Sequence, residues 1–216
     1  MEELISFVIA VSLLAISPGP DNIFVLMQSV VHGKKYGLAT IVGLMTGCII
    51  HTVFLALGVS TIIKNNSFIF FGIKLFGALY LFFLAYKVFK SSSVISISTE
   101  EIEKKSPVQL FKVGFIMNVL NPKVTLFFLA LFPGFLFSES LSLSVQFFIL
   151  GALFIVVSFI VFSVIAILGG AISKEIKKSK NIGIWLKWLQ IIVFVSIAVF
   201  ILIYSDCFKL YLWNNE

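Results

Sequence analysis

The sequence predicts an all-α, polytopic membrane protein of about six transmembrane helices, and three observations carry that expectation. Sixty per cent of the 216 residues are hydrophobic, and only 12% are charged. The mean hydropathy is +1.12. Third, the apolar residues fall into six long segments separated by short polar stretches. A water-soluble domain carries roughly a quarter charged residues on its surface; this chain has about half of that, so most of its surface must face lipid.

Each span consumes roughly 20 apolar residues, which makes residues 1–216 one integral membrane domain. The expected spans are about 4–31, 38–63, 68–89, 109–137, 141–173 and 186–205. The first contains the interruption Ser17-Pro18-Gly19-Pro20-Asp21-Asn22, and the fourth contains Asn121-Pro122-Lys123. The second holds His51 as its one ionisable residue, and the third carries Lys74 near its start. Span five occupies the charge-free interval between Glu139 and Lys174. Span six is bracketed by Trp185 and Trp188 at one end and Tyr204 and Tyr211 at the other, as in an aromatic belt. The longest loop runs from Ser91 to Lys105.

Charge sets the expected orientation. All sixteen basic residues are lysines. Loops 1–2, 3–4 and 5–6 with their flanks hold twelve of them, from Lys34 and Lys35 through to Lys187, against Lys64 and Lys209 on the other side. The positive-inside rule places the lysine-rich loops in the cytoplasm of a prokaryotic cell and both termini outside. The same rule accounts for the net charge of +6 without nucleic acid as a partner. The N-terminus, Met1-Glu2-Glu3, lacks the positive n-region of a cleaved signal, so the first apolar segment is read as a span. There is no GxxxxGK[ST] loop for nucleotide-driven work. Cys48 and Cys207 stand alone, and the two histidines are distant in sequence, so no cofactor or metal is expected.

The two interruptions match each other. Pro18 lies about fourteen residues into span one and Pro122 about thirteen into span four. Spans one and four each lead a group of three, and three being odd, the second group enters from the opposite face. That is the pattern of a 3+3 inverted repeat with broken helices at the midplane, where secondary transporters hold their solute. A broken helix frees backbone groups that lipid cannot satisfy and that are tolerated along an enclosed or watery cavity. A kink in a packed helix is the plainer account of a single proline, but two breaks in equivalent places favour a site.

Several residues at the breaks carry two readings each. Asp21 could cap the second half of span one, a common job for aspartate, or act as an intramembrane carboxylate for a proton or a substrate ammonium. Lys123 could pair with Asp21, meet a substrate carboxylate or snorkel toward water, and Asn121 could satisfy freed backbone or bind substrate. On span two, Gly43, Gly47 and His51 recur every fourth residue on one face. The glycines read as a packing seam, and His51 either bonds a neighbouring helix or relays protons. Lys74 reads by default as a snorkelling residue. Small-residue faces of this kind join helices within a chain or between copies, so a homo-oligomer is compatible with the sequence.

At these same residues the chain resembles the LysE/RhtB family of amino-acid exporters. The resemblance rests on Ser17-Pro18-Gly19-Pro20-Asp21-Asn22, His32-Gly33, Gly37-Leu38-Ala39, Gly43, Gly47 and His51. It continues through Lys74 to Leu81, Gly114 to Asn118, Asn121-Pro122-Lys123 and Phe127-Phe128, in order along essentially the whole chain. Leu84-Ala85 and Pro133-Gly134-Phe135 depart from the family's usual Leu-Gly and Pro-Gln-Phe. The resemblance implies a permease of the cytoplasmic membrane that exports amino acids or related zwitterions in exchange for protons. It directs attention to Pro18, Gly19, Pro20, Asp21, Asn121, Pro122 and Lys123 for substrate, and to Asp21 and His51 for protons. Two other classes remain as alternatives, a membrane-embedded redox protein, which would need paired cysteines, and an accessory subunit with no pathway of its own.

Overall fold

Helices dominate because a backbone in lipid must bond within its own segment. The computed structural model describes residues 2–17, 19–60, 67–91, 105–171 and 180–213, and among them every regular element is helical. The elements are α1 (Glu2–Ile16), α2 (Pro20–His32), α3 (Lys34–Phe54), α4 (Ser67–Lys90), α5 (Pro107–Val119), α6 (Pro122–Leu131), α7 (Leu143–Ile167) and α8 (Lys180–Trp213). A π-helical turn, Leu55–Val59, extends α3, and a 3-10 turn, Phe132–Phe135, extends α6. Pro18 and most of the Ser91–Lys105 loop lie outside the described residues.

Four stretches are each long and apolar enough to cross a membrane: Lys34–Val59, Phe71–Lys90, Leu143–Ile167 and Gly183–Ile203. The remaining helices form two bent pairs. α1 and α2 meet at 60°, and α5 meets Pro122–Phe135 at 51°. With each pair taken as one span the total is six. The expected interruptions in spans one and four are therefore real breaks in the helices. The described core of span five, at α7, is shorter than its charge-free interval, and α8 is longer than the expected span six.

Local sequence explains where the helices start. Pro20, Pro107 and Pro122 each occupy the first helical turn, where a missing N–H is harmless and a fixed φ is already helical. Ser106 and Gln109 form a reciprocal capping box on α5, and Ser142 accepts from the Val145 N–H at the head of α7. Gln146, 1% exposed, ties down the preceding loop. Its Oε1 accepts from the N–H groups of Phe137 and Ser138, and its Nε2 donates to the carbonyls of Ser138 and Leu141.

Glycine sets the tightest helix contact. A Cβ at Gly43 would run into the Phe111 carbonyl, and one at Gly114 into the Thr40 carbonyl, so α3 and α5 touch backbone to backbone. Farther along the same face of α3, Gly47 lies against the Asn118 side chain. The Gly43–Gly47–His51 stripe is thus the seam between α3 and α5. On one side of the bundle the core is aromatic. Phe128 stacks on Phe132 at 4.2 Å, Phe7 meets Phe132 edge-on at 5.1 Å, and Phe154 packs against Phe128 at 4.8 Å. The opposite character appears on the outer face of α7, where Val156, Ile160, Val164 and Ile167 are exposed, as a lipid-facing stripe requires. Lys74, read from sequence as snorkelling, is instead 3% exposed, because α4 is covered there by neighbouring helices, α6 and α8.

Candidate functional site

Two broken helices leave backbone groups that the chain must satisfy from elsewhere. At the first break, the Asn22 side chain reaches back across the turn and donates to the Ala15 carbonyl at 2.7 Å. At the second, the Asn121 side-chain oxygen accepts from the Lys123 N–H at 3.0 Å, capping α6, and the Asn121 carbonyl receives the Val124 and Thr125 N–H groups. The Asn118 carbonyl at the end of α5 takes the Asn121 N–H at 3.0 Å and a ring nitrogen of His51 at 3.2 Å. A carbonyl can only accept, so the His51 Nε2 carries a hydrogen in this arrangement.

The cap on α2 differs from the sequence reading. Gly19, not Asp21, occupies the N-cap position, in an extended conformation and with no side-chain cap. Pro20 fills the first helical position, which moves Asp21 into the first turn. A carboxylate there still sits at the positive end of the helix, but its side chain is free to reach beyond its own segment. It accepts from the Asn121 Nδ2 at 3.0 Å, so the two breaks are joined directly.

Lys123 enters from the other break. Its ammonium stands over the Phe194 ring at 4.8 Å from the centroid, and its Nζ is the nearest group to Gly19. A Cβ at Gly19 would come within 3.5 Å of that nitrogen. The aromatic face of Phe194 was not among the three readings of Lys123, and Asn121 takes the place beside Asp21.

Asp21 and Lys123 line one cavity of about 50 Å³. Asn22, Leu44, Met45, Cys48, Asn118, Phe154 and Ser158 complete most of the wall. The cavity is deep: Asn118 is twelve residues past Ser106, or roughly 18 Å along a helix at 1.5 Å per residue.

Of the residues singled out in the sequence, Gly19, Asp21, Asn121 and Lys123 gather at this cavity or bond to its wall. Pro20 and Pro122 start the half-helices, and both are exposed. His51 stands behind the wall, bonded to the Asn118 backbone and 5.5 Å from the Phe128 ring. Among the polar wall residues, Asn118, Cys48 and Ser158 were not read from sequence as site residues. Asn118 is 4% exposed, donates to the Cys48 sulfur at 3.4 Å and has no partner for its Oδ1. Its register, four residues beyond Gly114 on the seam face, was the available signal. Among the described residues no cluster of three His, Cys, Asp or Glu side chains gathers to hold a metal.

A cavity with one carboxylate, one ammonium and a free amide oxygen can hold a small zwitterion by both ends. Comparison with known proteins agrees with that character. The family model for LysE type translocators matches residues 12–205. A homoserine/homoserine lactone efflux protein of Salmonella typhimurium strain LT2 is 33% identical over 176 residues, covering 82% of this chain and 84% of that protein. A protein of the same name from Salmonella typhi is 34% identical over the same coverage. An uncharacterized membrane protein, YrhP, of Bacillus subtilis strain 168 is 32% identical over 63% of this chain and 69% of its own length. No solved structure matches the chain. With a family model spanning most of its residues, the chain is a bacterial integral membrane transporter and not an enzyme, and it belongs to the LysE type translocator family.

Proposed function

We propose that this protein exports a small zwitterionic amino acid, of the homoserine class, across the cytoplasmic membrane in exchange for protons. The observation that carries the reading is the hydrogen bond between Asn121 and Asp21, which brings the two helix breaks to one cavity. The names of the Salmonella relatives supply the solute class. In this reading the Lys123 ammonium receives the solute carboxylate. Asp21 receives the solute ammonium.

Exchange follows from charge. A carboxylate at this depth is costly unless neutralised, and either a proton or the substrate ammonium can neutralise Asp21. The two compete for one acceptor, so the site crosses the membrane occupied by one or the other. His51 holds the second break in shape through the Asn118 carbonyl. Six spans arranged as two inverted halves complete the proposal, each half led by a broken helix.

The test compares metabolites released by cells with and without the protein, followed by release of labelled homoserine. Faster release of homoserine or a similar small amino acid is expected from cells that carry it. Identical released metabolites in both strains would overturn the reading.

A further inference from the structure

Helix α2 carries a polar line that the cavity does not absorb. Asp21, Val25, Gln28 and His32 follow one another at offsets of four, seven and eleven residues, within one face of a helix. Gln28 is 2% exposed, and its Oε1 has no partner. The Nε2 of His32 is likewise buried and without a partner. A transmembrane protein rarely buries two such atoms along one face without water to serve them.

The line has a direction. From Asp21 to His32 is eleven residues, or about 16 Å of helix, half the thickness of a bilayer core of about 30 Å. His32 is followed at once by Gly33-Lys34-Lys35. On α7, Phe154 and Ser158 line the cavity, while Gly169, just beyond its end, meets Leu26, Ser29 and Val30 of α2. The two helices therefore run side by side from the cavity toward the same face, the one at which α2 ends and Lys34 and Lys35 follow. The other way out is filled by Phe7, Phe127, Phe128, Phe132 and Phe154.

We propose that the α2 face from Asp21 past Gln28 to His32 lines an aqueous entry path from the lysine-rich membrane face to the cavity. In this conformation the path is closed, with Val25 0% and Gln28 2% exposed, and Val25 is its apolar constriction. Gln28 and His32 offer hydrogen bonds to water and to a hydrophilic solute moving inward, and Val25 separates that vestibule from the binding cavity. The path's use by a solute rests on the transport reading; its wetness does not.

The test is thiol labelling of the full-length protein with Cys48 and Cys207 replaced, in inverted and right-side-out membrane vesicles. The probe is sulfonatoethyl methanethiosulfonate, a small anion that does not cross lipid. Gln28→Cys and His32→Cys are expected to react from the lysine-rich face at least about tenfold faster than Leu26→Cys, whose position packs against Gly169. Reaction no faster than at Leu26→Cys at both positions, or reaction only from the opposite face, would overturn the path. Should Gln28→Cys fail to insert, His32→Cys alone decides by the same criterion. Because labelling needs no substrate, a failure of the homoserine assay leaves this result standing, and the reverse is also true.

Discussion

Asn121 donates from its Nδ2 to the Asp21 carboxylate at 3.0 Å, across one hundred residues of sequence. The same side chain caps α6 through its Oδ1, so one amide fixes the second break and joins it to the first. A hydrogen bond to a charged group contributes about 1.5–3 kcal/mol. Replacing Asn121 by Ala removes both bonds, and transport is expected to fall about ten- to hundredfold at matched membrane abundance. Initial efflux rates in vesicles measure this, and an unchanged rate would detach Asn121 from the site.

Lys123 is expected to recognise the solute's carboxylate. Lys123→Met keeps an unbranched apolar stem and removes the charge that stands over Phe194. The KM for an amino acid should rise roughly tenfold or more, while inhibition by the corresponding amine without its carboxyl group should not change. Equal losses for both ligands would mean that Lys123 serves the fold.

The α3–α5 seam makes a stability test with an internal control. A Cβ at Gly43 or Gly114 meets backbone, which cannot move aside as a flexible side chain can. Gly43→Val and Gly114→Val are expected to cost more than about 3 kcal/mol, the upper end for an overpacked core. Gly58→Ala, with open space around it, is expected to be silent. Thermal unfolding of the detergent-purified variants separates the two groups.

Gln146 offers a second structural test. Four backbone groups of the 137–141 loop depend on its amide. Gln146→Leu has the shape without the bonds and should destabilise by about 2 kcal/mol or more, since each orphaned buried group costs roughly 1–3 kcal/mol. A shift in Tm toward lower temperature reads it, and Gln146→Glu should recover part of the loss by keeping an acceptor for Phe137 and Ser138.

His51 separates support from proton transfer. Glutamine at this position can supply an N–H to the Asn118 carbonyl but does not titrate. His51→Gln is expected to keep most of the transport and its pH dependence, and His51→Leu to lose transport. A His51→Gln protein that transports with no dependence on pH would make this residue the proton carrier.

Much of this arrangement was legible because membranes restrict what a sequence can do. Proline within an apolar segment leaves few outcomes, and both marked breaks are bends of more than 50°. The Gly43–Gly47–His51 stripe was readable from spacing alone, since only one helix face repeats every fourth residue. The partner of each polar group was not. Whether Asp21 capped its own helix turned on one position: Gly19 took the cap once Pro20 entered the first turn. Asn118 was passed over as a site residue although it lies four residues beyond Gly114 on the seam face, because that register alone does not say which groups meet it. Its importance comes from α5 ending beside α3, which brings Cys48 and His51 to it from seventy residues away. The burial of Lys74 was hidden for a similar reason, because sequence shows that a lysine is near a span's end but not which neighbouring helix covers it.

The account centres on Asp21 as the group that exchanges a proton for the solute. The most direct measurement uses purified Asp21→Asn protein in liposomes loaded with labelled homoserine. Movement driven by an imposed pH gradient should drop by at least about tenfold, as expected when a buried ionisable partner is lost, while the protein remains folded by size-exclusion profile. Gradient-driven movement at the wild-type rate would contradict the account.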